Sequence, residues 1–125
     1  MRKIETQMND AIKGNVKEWS KANTVVQTDS DNVSRVFLHG NQIAEVGDEF
    51  VRIFDGGWQS NTTKSRLNAI INEFCNGMTD GVHQSNFAWF IRDNNVTHDF
   101  VDGYTFVEFA WVRGVMPLFV IVPTN

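Results

Sequence analysis

The chain has 125 residues, 42% hydrophobic and 21% charged, which suits one folded domain and excludes a wholly disordered chain or two independent cores. Its formal net charge is −4, and its 11 Lys and Arg residues are spread from Arg2 to Arg113, so nucleic-acid binding driven by overall charge is excluded. Cys75 is the only cysteine, which excludes a fold held by intrachain disulfides.

In chain order, Ile4, Met8, Ala11 and Ile12 recur on one face of an N-terminal helix, with Gly14-Asn15 as its stop. Lys17 to Ala22, around Trp19, has no clear period. Asn23 to Gln27 reads as a strand, Thr28 to Asn32 as a polar loop and Val33 to Leu38 as a second strand. His39-Gly40-Asn41-Gln42 supplies a turn with a Gly-Asn centre, and Ile43 to Val46 returns antiparallel. Phe50 to Phe54 completes a meander that Asp55-Gly56-Gly57 ends.

Leu67, Ile70, Ile71, Phe74 and Cys75 define the apolar face of a central helix. Asn61, Thr62 or Thr63 can cap its start, and Asn76-Gly77 suits a left-handed end. Beyond it, Val82 to Arg92 reads as one long strand, Asp93-Asn94-Asn95 as a turn and Val96 to Val101 as a strand. Tyr104 to Val112 follows, then an apolar segment from Pro117 to Val122. Pro117 cannot donate to a ladder, which puts it at a strand start or sheet edge. Together these elements predict a single α+β domain over residues 1–125. Its antiparallel sheet comprises a meander plus C-terminal strands, with an N-terminal helix and a central helix.

The start of the central helix offers hydroxyls and cations on one turn: Ser60, Thr62, Thr63, Lys64 and Arg66. Helix N-termini attract phosphate and carboxylate, so these residues are candidates for binding an anion or a partner. Plain capping with solvated cations is the competing reading. The glycine spacing of a nucleotide-hydrolysing phosphate loop is missing.

His39, His83 and His98 show no close ligand spacing with one another, with Cys75 or with Asp55 and Asp99. Cys75 lies on the apolar face of the central helix, where a thiol behaves as a small hydrophobe. Asp48 with Glu49, and Asp99 with Asp102, are turn acids. No catalytic residue, metal or cofactor is therefore expected, and the chain is read as a non-enzyme.

Aromatic residues crowd the second half of the chain, and both faces of its strands are apolar in places. With few cations nearby, a core plus a second buried surface fits better than base stacking. The tail adds Phe109, Trp111, Val115, Leu118, Phe119 and Ile121, more apolar surface than a small domain covers by itself. A homodimer that uses residues 108–125 for self-association is the expected solution. The opening residues Met1, Arg2, Lys3 and Glu5 hold no apolar run, so no signal peptide is expected. The run Val115 to Val122 is too short to span a bilayer as a helix, so no membrane is expected.

Two stretches resemble small accessory proteins of tailed bacteriophages. They are Leu38-His39-Gly40-Asn41-Gln42-Ile43-Ala44 and the run from Gly57-Trp58-Gln59-Ser60 through Thr62-Thr63-Lys64-Ser65-Arg66-Leu67-Asn68-Ala69. Met1 to Glu5 shares the likeness, which extends to about Thr105; Glu108 to Asn125 reads as an extension. The resemblance implies a phage origin and action in the cytoplasm of a bacterial host. It also implies binding and inhibition of a host protein, in counter-defence or host takeover. A small nucleic-acid-binding module using residues 60–66 and nearby aromatics is the alternative.

Overall fold

The computed structural model describes residues 1–107. Among them, two helices and nine strands form an α+β fold with two antiparallel sheets. The self-association residues expected in the tail lie outside the described residues.

The larger sheet contains β1 (Glu18–Lys21), β2 (Thr24–Thr28), β3 (Ser34–Leu38), β4 (Asn41–Val46), β5 (Val51–Ile53) and β9 (Tyr104–Phe106), paired in that order. The aperiodic segment around Trp19 is thus a strand, pairing Trp19 with Val26 at the sheet edge. Alternation puts Val26, Val36, Val46, Val51, Ile53 and Phe106 in the core. A bulge lets Ile43 and Ala44 both turn inward, because Val36 pairs with Ala44 while Phe37 pairs with Gln42. The β3–β4 turn centres on His39 (φ 52°) and Gly40 (φ 81°), one residue earlier than the expected Gly-Asn centre, so β4 starts at Asn41.

The opposite face carries a charged ladder. Arg35, Glu45, Arg52 and Thr105 are cross-strand neighbours on β3, β4, β5 and β9. Glu45 accepts from both arginines, and Arg52 Nε donates to Thr105 Oγ1 at 3.1 Å. The larger sheet is therefore apolar towards the helices, and its other face carries this charged ladder beside the half-buried pair Val25 and Phe37.

Helix α1 (Lys3–Lys13) packs on β1 and β2, and α2 (Asn61–Phe74) packs on β4 and β5. Their apolar faces, Met8, Ala11 and Ile12 with Leu67, Ile70 and Ile71, close the core. Two ion pairs cross between them: Lys13 meets Glu73 at the surface, and the other is buried. Arg66 Nη1 meets Glu5 Oε2 at 2.8 Å, and the two residues are 3% and 2% exposed. The same carboxylate oxygen accepts from Ser65 Oγ at 2.6 Å, and Oε1 accepts from the Arg2 N–H. Arg66 also donates through Nε to Thr24 Oγ1 and through Nη2 to Asn23 Oδ1, which ties the pair to β2. Burial pushes the Glu5 carboxyl up, but the hydrogen bonds from Ser65, Arg66 and Arg2 and the Arg66 charge outweigh it and hold its pKa below the usual value.

The smaller sheet contains β6 (Gly81–Ser85), β7 (Ala88–Asp93) and β8 (Val96–Asp99). The expected single strand from Val82 to Arg92 is instead a hairpin, broken at Asn86 (φ 50°) and Phe87 (φ 67°). Asn68 on α2 docks β6 as a neighbouring strand would: its amide donates to Val82 O at 2.9 Å and accepts from Val82 N at 2.8 Å. Asp80 is buried and accepts from the N–H groups of Asn76 and Asn94, fixing the far end. Tyr104 Oη donates to Asp93 Oδ2 at 2.8 Å, joining the two sheets; burial and the Asp93 carboxylate push its pKa to about 12. Helix α2 ends with Cys75 in extended backbone, and Asn76-Gly77 does not form the expected left-handed cap.

Breaking the buried pair is expected to cost about 3–5 kcal/mol, since the remaining charge stays buried without its partner. Urea denaturation of Glu5→Gln and of Arg66→Met checks this. The double variant Glu5→Leu/Arg66→Met should recover most of the loss. Because the folded-state pKa of Glu5 is depressed, its contribution is complete above about pH 4.5 and is lost as pH falls through the lower folded value. Wild-type stability should therefore fall with acid more steeply than that of the double variant.

Candidate functional site

The start of α2 is capped by one side chain. Ser60 is the N-cap, in place of the expected Asn61, Thr62 or Thr63, and its Oγ accepts from the Thr63 N–H at 3.1 Å. The Thr63 hydroxyl is buried and lies within hydrogen-bond reach of both Ser60 Oγ and Trp58 O. Thr62 is half-buried on the same turn. The two cations expected to converge here are separated. Lys64 Nζ reaches across to Gln84 Oε1 at 3.3 Å, whereas Arg66 points inward to Glu5. Arg66 is therefore corrected from a candidate ligand to a core residue: helical spacing turns it towards α1, where the Glu5 carboxylate compensates its charge.

That first turn also fixes Trp58. The Trp58 N–H donates to Asp55 O, and its carbonyl accepts from the Ser60 N–H at 3.0 Å. Gly56 (φ 71°) and Gly57 (φ 85°) supply the left-handed backbone that redirects the chain from β5 into this loop. Asp55 braces it, accepting from the Gly57 N–H at 2.7 Å and from Gln59 Nε2 at 3.2 Å. The backbone is held while the indole is 75% exposed.

Two other loops reach the same end of the molecule. Phe100 N–H donates to Trp89 O, one residue beyond the Phe90–Asp99 pair, so the loop that carries Val101 leaves β8 beside the start of β7. Asp102 Oδ1 accepts from the Asp55 N–H at 2.8 Å, tying that loop to the Trp58 loop. The contact between Lys64 and Gln84 ties the first turn of α2 to β6, one residue short of its end. The hairpin then closes at Phe87, whose ring is 95% exposed. Left-handed backbone at an L-residue with a bulky side chain costs on the order of 1–2 kcal/mol, and an exposed ring returns no burial. Trp58, Phe87 and Val101 thus present apolar surface from three braced loops.

The other features offer less. A cleft of about 200 Å³ lies among Ile12, Lys13, Val46, Asp48 and Phe74, and an open groove of about 420 Å³ runs past Ala11, Val16, Trp19 and Lys21. The charged groups lining both are exposed. His83 stacks on Phe90 and His98 tilts against Tyr104, each at 5.6 Å between ring centres, while His39 sits in its turn. Among the described residues no group of three or more His, Cys, Asp or Glu is placed to hold a metal. No described helix is long and apolar enough to cross a membrane.

Sequence reasoning did not single out Phe87 as a site residue, because it sat inside an apparent long strand. Asn86, a residue that tolerates left-handed backbone, was the one signal of the turn. In comparison with known proteins, residues 1–107 match the family model described as Kyanoviridae Gp96 protein. No curated protein and no solved structure matches the chain.

If Arg66 is a core residue, inorganic phosphate has no paired cations to bind at the start of α2. Millimolar phosphate is expected to leave the melting temperature of wild type and of Lys64→Ala equal, by differential scanning fluorimetry at constant ionic strength. A rise confined to wild type would restore the anion site.

Proposed function

The chain belongs to the Kyanoviridae Gp96 family, a family of phage proteins, and from that premise we propose that it acts as a non-enzymatic accessory protein. It binds and inhibits a protein of the bacterial host, in counter-defence or host takeover, within the host cytoplasm. The observation that supports this reading is the end of the molecule formed by Trp58, Phe87 and Val101. Their apolar side chains are exposed while the backbones around them are held by hydrogen bonds. Exposed apolar surface on braced loops is the form of a binding site, and aromatic residues dominate binding energy at protein interfaces.

The protein acts as a homodimer in this proposal. The apolar residues Phe109, Trp111, Val115, Leu118, Phe119 and Ile121 supply the self-association, and the end carrying Trp58 is left for the host partner. The competing nucleic-acid module loses its second cation, since Arg66 is buried.

Affinity capture from host lysate by the tagged full chain is expected to retain one dominant host protein after nuclease treatment. Loss of all bound material with nuclease would contradict the proposal. Light scattering should give a dimer for the full chain and a monomer after deletion of residues 108–125. An unchanged dimer would remove the tail from self-association.

A further inference from the structure

We propose that the tip of the β6–β7 hairpin anchors this chain to its partner, with Phe87 entering an apolar pocket that has a basic rim. The inference rests on the reading of the chain as a binder of a host protein. It adds which residue enters and what surface receives it.

The hairpin turn carries the first part of the case. Two-residue turns with both centres left-handed favour Asn and Gly, and two others in this chain follow that rule. Gly40 closes β3–β4 and Asn95 closes β7–β8 at the second centre, whereas β6–β7 has Phe87 there. Glycine at that position would close the hairpin with less strain, and an exposed phenyl ring contributes no burial to the fold. A residue that is unfavourable for the turn and unused by the core is accounted for by a contact made outside the chain.

Charge identifies the partner. The surroundings of this end are acidic: Asp55 and Asp102 are linked through a backbone hydrogen bond, and Asp99 pairs with Phe90 three residues from the tip. Lys64, hydrogen-bonded to the neutral Gln84 amide, keeps its positive charge, and the three carboxylates outnumber it. Fixed carboxylates around apolar anchors complement a basic rim around an apolar pocket on a protein. They repel a phosphate backbone, so stacking of a single-stranded nucleic acid on Phe87 is the opposing outcome.

The test uses the full chain. The host protein captured by wild type is identified, expressed alone and titrated calorimetrically against wild type, Phe87→Gly, Phe87→Asn and Asp102→Asn. Phe87→Gly and Phe87→Asn should melt a few degrees higher than wild type. Both should bind at least about tenfold more weakly, as loss of an interface anchor requires. Asp102→Asn keeps the acceptor for Asp55 and should bind with a flatter salt dependence. Lower melting together with weaker binding would make Phe87 a structural residue and overturn the proposal. Unchanged binding by both Phe87 variants would overturn the anchor while leaving the host-binding reading intact; capture of no host protein would overturn both. Binding of a fluorescent oligothymidylate lost in Phe87→Gly would assign the tip to nucleic acid instead. Conversion of a dimer to a monomer by that substitution in sedimentation would assign it to self-association. Either result overturns the proposal.

Discussion

The buried ion pair between Glu5 and Arg66 is the constraint on which the arrangement turns. An arginine almost entirely removed from water must have its charge compensated and its donors used. Glu5, Thr24 and Asn23 do this together, so α1, α2 and β2 can meet in one way. With α2 set, Asn68 fixes the position of β6, Ser60 and Thr63 hold the Trp58 carbonyl, and the hairpin carrying Phe87 is directed to the same end. The charge that could have made the helix start an anion site is used instead to assemble the fold.

Stability and the proposed binding lie in two parts of the molecule. Apolar burial lies between the helices and the inner face of the larger sheet and extends to Val82, Trp89 and Ile91 of the smaller one, while Arg35, Glu45, Arg52 and Thr105 form a polar ladder on the outer face. The loops around Trp58, Phe87 and Val101 stand outside that core yet are tied to it by hydrogen bonds. A surface of this kind is ordered before it binds, which limits the entropy lost on association. That suits a phage protein whose proposed task is to hold a host protein.

Much of the fold was legible in the sequence because it rests on local patterns. The period of Ile4, Met8 and Ile12, and that of Leu67, Ile70 and Phe74, located both helices, and alternation located the meander. Errors arose where a long-range partner or an unusual turn decided the outcome. Arg66 reads as a surface cation until Glu5, far away in sequence, is placed against it. The break at Asn86-Phe87 was hidden because it lacks glycine and is flanked by residues that fit a strand. The N-cap fell on Ser60 because it alone places a hydroxyl at the Thr63 N–H. Of the candidate site, Ser60 and Thr63 take part in capping at the start of α2, and Lys64 reaches Gln84. Phe87, the proposed anchor, was hidden in an apparent strand. The expected self-association residues from Phe109 onward fall outside the described chain.

The central claim is that the loop end receives the host partner while the helix pair only supports it. Hydrogen–deuterium exchange of the full chain, with and without the captured host protein, tests this most directly. Added protection should be confined to the loops around Asp55–Gln59, Gln84–Trp89 and Phe100–Asp102, with the amides of α1 and α2 unchanged. Protection appearing instead along β1 and the groove beside α1, or spread evenly over the helices, would contradict it.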